Sequence, residues 1–395
     1  MTAAATANQT IISTPTHQGS STIFAAVEKE FDWNRTTTAG AASFGSAVGT
    51  VMGPFLGMLT DRIGPGRMVL VGMLLAGVGL IAFSRMNGPV QYYLFWLMVS
   101  AGISIGGFTP SIAAVNSWMS HKRATAMSIV LAGSSIGGLA VPLMAWGILA
   151  FGWRPTVVVA GIVILVSGPV IARILWRRPP GFGGRAKPGA AHTPVPGEQF
   201  DFTPREALRT RAFWAISIAH TLANLSVAVV QSQVVLHLDA SGISLTKAAA
   251  VIPVMAATAF VFQLVGGYVG DKMDKRYPAA VSLVIHGGSV LLLAFTVTFP
   301  MAMVFAVLWG VGFGMRTPVL HAMRGDYFGR RHYATIMSLS AVPMALGMTL
   351  APVIAGRVFD LQGTYKWVFV SLSAACVVAA WVILYAKRPA IPVRQ

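Results

Sequence analysis

The sequence predicts an all-α integral membrane protein whose twelve transmembrane helices form two six-helix bundles. Three observations predict this: apolar blocks of spanning length, basic residues in alternate connections, and matching motifs in the two halves. Of 395 residues, 55% are hydrophobic and only 10% are charged, whereas about a quarter of the residues in a soluble domain are charged. The apolar residues come in blocks of about 20, which as helices cross ~30 Å of hydrocarbon.

The apolar blocks divide into two sets of six predicted spans. They cover residues 3–27, 36–58, 68–85, 89–117, 124–150 and 154–177, then 211–237, 244–268, 278–297, 300–325, 332–357 and 364–387. The first span is the most polar, because it lacks Lys, Arg, Asp and Glu but is rich in Thr, Ser, Asn and Gln and contains Pro15. Either this helix faces a wet cavity or its true start lies upstream.

The basic residues predict which ends of the spans face the cytoplasm. If the N-terminus is cytoplasmic, the inner connections and the C-terminus hold nineteen of the 29 Lys and Arg residues, and the outer connections hold seven. This bias is the positive-inside pattern, which places both termini in the cytoplasm. A net charge of +17 on a basic surface would otherwise suggest that the protein binds nucleic acid. The positive-inside pattern accounts for this charge, so we expect no nucleic acid partner. We expect a monomeric, multi-pass plasma-membrane protein, such as one of a bacterial inner membrane.

The long connection at 178–210 is rich in Pro and Gly, and it separates a bundle at 1–177 from a bundle at 211–395. Such a composition predicts a linker. The segment from Thr203 to Trp214 predicts one short amphipathic helix at the inner interface. Thr203 would cap this helix, Pro204 suits its first turn, and its three arginines would face lipid headgroups.

The two halves repeat at a shift of 210 residues. The shift relates Gly57, Asp61, Arg62, Ser128 and Pro142 to Gly267, Asp271, Lys272, Ser338 and Pro352. Asp61 and Asp271 lie at inner helix ends, where a carboxylate can accept hydrogen bonds from the free amides of a neighbouring helix. We expect the three residues around each carboxylate to form a gate, with solvated loop charges as the alternative. Parallel repeats predict a binding site at the repeat interface near the midplane.

These motifs resemble those of the major facilitator superfamily. The resemblance rests on residues 57–67 (GMLTDRIGPGR) and their second copy at 267–276 (GYVGDKMDKR). It implies the major facilitator fold, with these loops latching the inner side. More narrowly, 30–35 (EFDWNR), 121–128 (HKRATAMS), 152–154 (GWR) and 203–214 (TPREALRTRAFW) resemble the monocarboxylate and oxalate/formate branch.

The chain departs from that branch in three places. It lacks the acidic residue often present in the first helix, it has Ser128 where Gly is usual, and its eighth span lacks the usual Arg. The coupling ion and the substrate class therefore stay open. The fourth span contains no Arg, and the fifth has an AVP sequence in place of GP with following glycines, so the chain also fits proton-driven drug antiporters poorly.

Arg316 is the one permanent charge far from both ends of a predicted span. A central Arg costs roughly 2.5 to 3.5 kcal/mol to insert, so we expect it to face a cavity instead of lipid. Arg324 lies nearer the cytoplasm and is expected to snorkel to the interface.

His17 and Gln18 lie midway along the polar first span. The seventh span carries a polar stripe on one helix face, formed by Ser217, His220, Asn224 and Gln231.

The sequence therefore predicts a secondary transporter that moves a small organic anion, such as a monocarboxylate, by rocking of the two halves. Arg316 would bind the carboxylate through a bidentate fork. His17, Gln18, His220 and Asn224 would complete the polar shell, and Trp309 and Phe313 would form an apolar wall. A co-transported proton or a counter-anion would drive transport.

Two other functions stay open from the sequence: a multidrug or metabolite exporter, and a substrate sensor without net flux. An enzyme is not predicted, because the sequence offers no nucleophile with a paired base and no phosphate loop. It also offers no metal-ligand spacing, and Cys376 is its only cysteine, so neither a cofactor nor a metal centre is expected.

Overall fold

The computed structural model describes residues 1–33, 35–119, 122–176 and 201–391, and their regular structure is helical throughout. The first half of the chain contains α1 (Thr2–Ser13), α2 (Ser20–Phe31), α3 (Arg35–Ile63), α4 (Pro65–Phe83), α5 (Pro89–Gly106), α6 (Phe108–Trp118), α7 (Arg123–Leu139), α8 (Val141–Phe151) and α9 (Trp153–Leu175). The second half contains α10 (Pro204–Leu208), α11 (Arg211–Ala240), α12 (Leu245–Lys272), α13 (Arg276–Ala294), α14 (Phe299–Phe328), α15 (Tyr333–Gln362) and α16 (Lys366–Leu384).

Ten helical stretches of the described residues are long and apolar enough to cross a membrane. Two of them are pairs of consecutive helices, α5 with α6 and α7 with α8. The other two predicted spans correspond in position to α3 and to the consecutive helices α1 and α2. At their C-terminal ends α3, α12, α14 and α15 extend beyond the predicted spans by about one helical turn. The all-helical membrane fold predicted from hydropathy is confirmed.

The first span is interrupted where the sequence places Pro15. Residues Thr14–Gln18 form a π-helical turn between α1 and α2, and the Gly19 amide donates to the Thr14 carbonyl, five residues back, at 2.7 Å. Such single π turns occur as bulges within α-helices, often at functional positions. Helix α2 also ends at Phe31, beyond the predicted end at 27, so it projects further than hydropathy suggested.

The linker helix predicted from Thr203 to Trp214 is two helices, and the prediction of one helix was wrong. Thr203 starts α10 with a capping box, in which its side chain accepts from the Glu206 amide and the Glu206 carboxylate accepts from the Thr203 amide. Thr210 starts α11 by accepting from the Phe213 amide at 3.1 Å. A second N-cap within the segment ends the first helix, because a capping residue adopts an extended backbone. Most of the predicted linker, residues 178–200, lies outside the described residues.

The chain forms two compact units. Unit 1 comprises Met1–Ser120, Ile129–Phe202 and Phe328–Ser338, and unit 2 comprises His121–Ser128, Thr203–Tyr327 and Leu339–Gln395. Each unit therefore contains a short segment from the opposite half of the sequence. These two segments end at Ser128 and Ser338, which the repeat places at equivalent positions.

Candidate functional site

Arg316 lies within α14 of unit 2 and is completely buried. Its Nε, Nη1 and Nη2 atoms have no hydrogen-bond partner among the described residues. A buried charge without a partner is strongly unfavourable, and the penalty amounts to several kcal/mol even after relaxation. An acceptor for these donors is therefore missing from the part of the chain that the structure describes.

Two aromatic rings from the same helix lie beside the guanidinium. The Arg316 Cζ atom is 5.3 Å from the centroid of the Phe313 ring, and Phe313 stacks on Trp309 with centroids 4.9 Å apart. A cation over a ring gains about 0.5 to 2 kcal/mol, but it leaves the N–H donors of the guanidinium unused. Trp309 is buried, and its Nε1 atom also has no hydrogen-bond partner among the described residues. Arg316, Phe313 and Trp309 therefore lie side by side, and their contact with a substrate stays a prediction.

Arg324 does not snorkel, and that prediction was wrong. It is buried, and its guanidinium donates to Ser340 Oγ at 2.8 Å and to the Leu320 carbonyl at 3.1 Å. Its Nη2 atom also lies 3.0 Å from His220 Nδ1. The acceptors come from α11, α14 and α15, so the charge is hydrogen-bonded inside unit 2 and has no need of the headgroups.

His220 and Asn224 belong to the cluster around Arg324. A guanidinium can only donate, so His220 Nδ1 accepts from Arg324, and the His220 ring packs edge-on against His321 at 5.5 Å. The Asn224 amide donates to the main-chain carbonyl of His220 at 2.7 Å. His220 and Asn224 of the predicted polar stripe on α11 therefore make contacts within the protein, and their substrate contacts stay predictions.

His17 and Gln18 lie in the π-helical turn of unit 1. The His17 side chain is exposed, whereas the Gln18 side chain lies outside the described residues. Their predicted contact with substrate stays a prediction.

His286 is a residue that the sequence motifs do not indicate, and it lies in a buried polar cluster of unit 2. His286 Nε2 is 2.8 Å from Ser226 Oγ, and Cys376 Sγ is 3.6 Å from the same oxygen. The His286 ring lies 5.6 Å from Trp309. These residues come from α11, α13, α14 and α16, so no stripe on a single helix could reveal them. A side chain at Gly312 would meet the His286 backbone at 2.6 Å, so this glycine permits the close approach of α14 to α13.

The predicted gate motifs make matching hydrogen bonds, one within each unit. In unit 1 the Asp61 carboxylate accepts from the amides of Ala334 and Thr335 at 3.1 and 2.8 Å and from Thr335 Oγ1 at 2.5 Å. In unit 2 the Asp271 carboxylate accepts from the amides of Ala124 and Thr125 at 2.8 and 2.9 Å. The shift of 210 residues relates the donors as well as the acceptors. Each carboxylate thus binds the first turn of a helix, α15 or α7, where free amides favour a negative charge.

The motif glycines let these helices approach. A side chain at Gly57 would lie 2.7 Å from the Ala334 carbonyl oxygen, and one at Gly267 would lie 2.8 Å from the Ala124 carbonyl oxygen. Arg62 and Lys272 are exposed, and the Lys272 ammonium lies 4.4 Å from the centroid of the Tyr268 ring. The gating role of the six motif residues stays a prediction.

Comparisons with known proteins agree with this fold. The Major Facilitator Superfamily model matches residues 9–285 and 216–395. The chain is 25% identical to monocarboxylate transporter 13 of Rattus norvegicus over 348 residues, which cover 87% of this chain and 78% of that protein. It is 23% identical to monocarboxylate transporter 4 of Mus musculus over 370 residues, which cover 92% of this chain and 78% of that protein.

Two solved structures have the same fold at low sequence identity. The fucose:proton symporter of E. coli superposes with a TM-score of 0.77 at 12% identity, covering 98% of each chain. A human organic anion transporter superposes with a TM-score of 0.73 at 13% identity, covering 97% of this chain and 98% of the other. Since the family model matches nearly the whole length, the chain belongs to the Major Facilitator Superfamily and is a membrane transporter, not an enzyme.

Proposed function

We propose that this transporter is a secondary carrier that binds a small organic anion, a monocarboxylate, at Arg316 and moves it by alternating access. One observation carries the proposal: a fully buried guanidinium whose three nitrogens have no hydrogen-bond partner among the described residues. A guanidinium stays charged at any physiological pH, and its planar fork matches a carboxylate in a bidentate arrangement. A carboxylate would therefore satisfy the group that the fold leaves unsatisfied.

The surroundings of Arg316 favour a small anion with an apolar part. Phe313 and Trp309 offer ring surface beside the guanidinium, and the Trp309 Nε1–H is a further donor. In this proposal His17, Gln18, His220 and Asn224 complete the polar shell, as their positions on polar helix faces suggest. The names of the monocarboxylate transporters at 23% to 25% identity support the same substrate class.

Transport would be coupled to a proton or to a counter-anion, with both termini in the cytoplasm. The proton is a coupling ion of the E. coli symporter that shares this fold. The cytoplasmic termini follow from the distribution of basic residues over alternate connections. The hydrogen bonds of Asp61 and Asp271 to the first turns of α15 and α7 would form in one state of the cycle and break in the other.

The test compares two buried arginines of α14. Formate, acetate, lactate and oxalate are screened by thermal shift in detergent, and the affinity of the best ligand is then measured for Arg316→Gln and Arg324→Gln. Removing one member of a buried charge pair costs about 2 kcal/mol or more, so Arg316→Gln should weaken binding at least about 30-fold. Arg316→Lys keeps the charge without the fork, and it should bind weakly and retain some transport.

Stability separates a binding role from a structural one. Without ligand, Arg316→Gln should melt at or above the wild-type temperature, because an unpartnered buried charge is removed. Arg324→Gln should melt lower, because it loses the bonds to Ser340 and His220. Wild-type anion affinity in monodisperse Arg316→Gln protein would refute the proposal. Binding of bulky drugs but of no carboxylate would favour the exporter instead.

A further inference from the structure

His286 occupies a position that the binding proposal leaves unused. It is completely buried in unit 2 between Ser226 of α11, Trp309 of α14 and Cys376 of α16. Gly312, one helical turn before Arg316, lies against His286, because an added side chain there would come within 2.6 Å of the His286 backbone. The Arg316 charge acts on both His286 and Cys376. A titratable ring therefore lies beside the group at which we place the substrate anion.

The hydrogen bonds of Ser226 indicate which nitrogen of His286 carries the hydrogen and which has a free lone pair. The Ser226 hydroxyl donates to the Ala223 carbonyl at 2.7 Å, so its one hydrogen is used. It must then accept from His286 Nε2 and from the Cys376 thiol. A neutral imidazole that carries its hydrogen on Nε2 has a bare lone pair on Nδ1. His286 Nδ1 makes no hydrogen bond with the described residues, and it is the atom that can take a proton.

The polar groups that face the His286 ring could accept hydrogen bonds from both nitrogens of an imidazolium. Ser226 Oγ accepts at Nε2, and the main-chain carbonyl of Trp309 interacts with the ring, so a doubly protonated ring would have an acceptor for each nitrogen. Among the elements packed on His286, the titratable or charged groups are Arg316 from α14 and Cys376 from α16. Two like charges repel in a medium of low dielectric constant. Burial of the ring opposes an imidazolium most and the Arg316 charge adds to that opposition, so an anion bound at Arg316 removes the second contribution.

The other buried histidines of unit 2 are less suited. His220 Nδ1 already accepts from Arg324, so a proton there would break that bond. His321 is under the charge of both Arg324 and Arg316. His237 lies elsewhere on α11 and bonds to the Leu293 carbonyl at 2.9 Å. One arginine acts on His286, and a bound anion would cancel that charge.

We infer that His286 takes up a proton at Nδ1 when a carboxylate binds to Arg316, so that proton and anion are carried together. The inference rests on the proposed function of Arg316. One N–H bond forms with a proton from solvent, and the charge of the site is +1 before and after loading. By linkage, protons tighten anion binding as much as the anion tightens proton binding.

The test is calorimetry of acetate binding to the detergent-purified protein in phosphate and in Tris, two buffers with different ionisation enthalpies. Between pH 6 and 7.5 the wild type should take up protons as it binds acetate, and its affinity should weaken as the pH is raised. His286→Gln keeps a donor toward Ser226, and it should bind acetate without proton uptake and with an affinity independent of pH. The matched control His237→Gln should behave as the wild type.

The outcomes distinguish this inference from the proposal on which it rests. Acetate binding by the wild type without proton uptake overturns the role of His286 alone, and it needs no variant. Proton uptake by monodisperse His286→Gln at the wild-type stoichiometry overturns it as well. Failure of the wild type to bind formate, acetate, lactate or oxalate overturns the proposed function and this inference together.

Discussion

The two carboxylate caps permit a prediction with an internal control, because the repeat supplies the same contact twice. Asp61→Asn removes a charge from the first turn of α15, where the carboxylate accepts from two amides and from Thr335 Oγ1. Asp271→Asn removes a charge from the first turn of α7, where two amides donate. An Asn keeps one acceptor oxygen but presents an NH2 group to the second donor.

The expected magnitude follows from the bonds that are lost. Loss of an N-cap acceptor costs about 0.5 to 2 kcal/mol, and loss of a negative charge at a helix N-terminus costs a further ~0.3 to 1 kcal/mol. Asp61→Asn should therefore destabilise the closed cap by about 1 to 3 kcal/mol, which corresponds to a factor of about 5 to 150. Asp271→Asn should fall in the lower part of that range, because the structure records one bond fewer for Asp271.

Amide hydrogen exchange read by mass spectrometry measures this directly. In Asp61→Asn, peptides that contain Ala334 and Thr335 should exchange about 5 to 150 times faster, while peptides that contain Ala124 and Thr125 keep their wild-type rates. Asp271→Asn should show the reverse pattern. Transport should slow in both variants, whereas carboxylate affinity should stay near the wild-type value, because Asp61 and Asp271 bind the first turns of α15 and α7 and not the residues beside Arg316.

Two results would refute this reasoning. Unchanged exchange at Ala334 and Thr335 in Asp61→Asn would mean that the carboxylate does not stabilise the first turn of α15. Lost carboxylate binding in a correctly folded variant would mean that the aspartates serve the substrate site and not a gate.

Two further predictions concern packing and topology. Gly57→Ala should lower stability by about 1 to 3 kcal/mol and slow transport, because the new side chain would lie 2.7 Å from the Ala334 carbonyl oxygen. Gly53→Ala, one turn earlier with nothing within 4 Å, is the matched control and should melt close to the wild type; equal melting temperatures for the two variants would contradict the packing argument. Reporter fusions at residue 190 and at the C-terminus should both indicate the cytoplasm, and an outer-side signal at either position would overturn the topology.

The repeat was detectable in the sequence, and the structure adds which residues it joins. Gly57 and Asp61 matched Gly267 and Asp271 at a shift of 210 residues. The carboxylates were expected to meet free amides at a helix start. The sequence did not identify the partners, which are the first turns of α15 and α7. These helix starts lie far from the aspartates in the sequence, so the packing of the helices determines which of them each aspartate meets. Hydropathy carries no information about that packing.

Predictions about single charged residues were less successful, for a related reason. Burial of Arg316 could be expected, since hydrocarbon forces a central charge inward. Arg324 lies close enough to a helix end to reach the headgroups, and only the structure shows that Ser340, His220 and the Leu320 carbonyl accept its hydrogens instead. Snorkelling and internal bonding compete, and the outcome depends on acceptors from other helices.

The sequence by itself determined the membrane spans, the two-fold internal repeat and the presence of one charge deep in a helix. The bilayer imposes these features through the length, polarity and charge of each segment, which are properties of the chain alone. Only the tertiary structure decided that Arg316 has no hydrogen-bond partner in the described part of the chain while Arg324 has several, and that His286 meets Ser226, Trp309 and Cys376. Those differences arise because hydrogen bonds need donor and acceptor within about 3 Å, and four separate helices must pack before such distances exist.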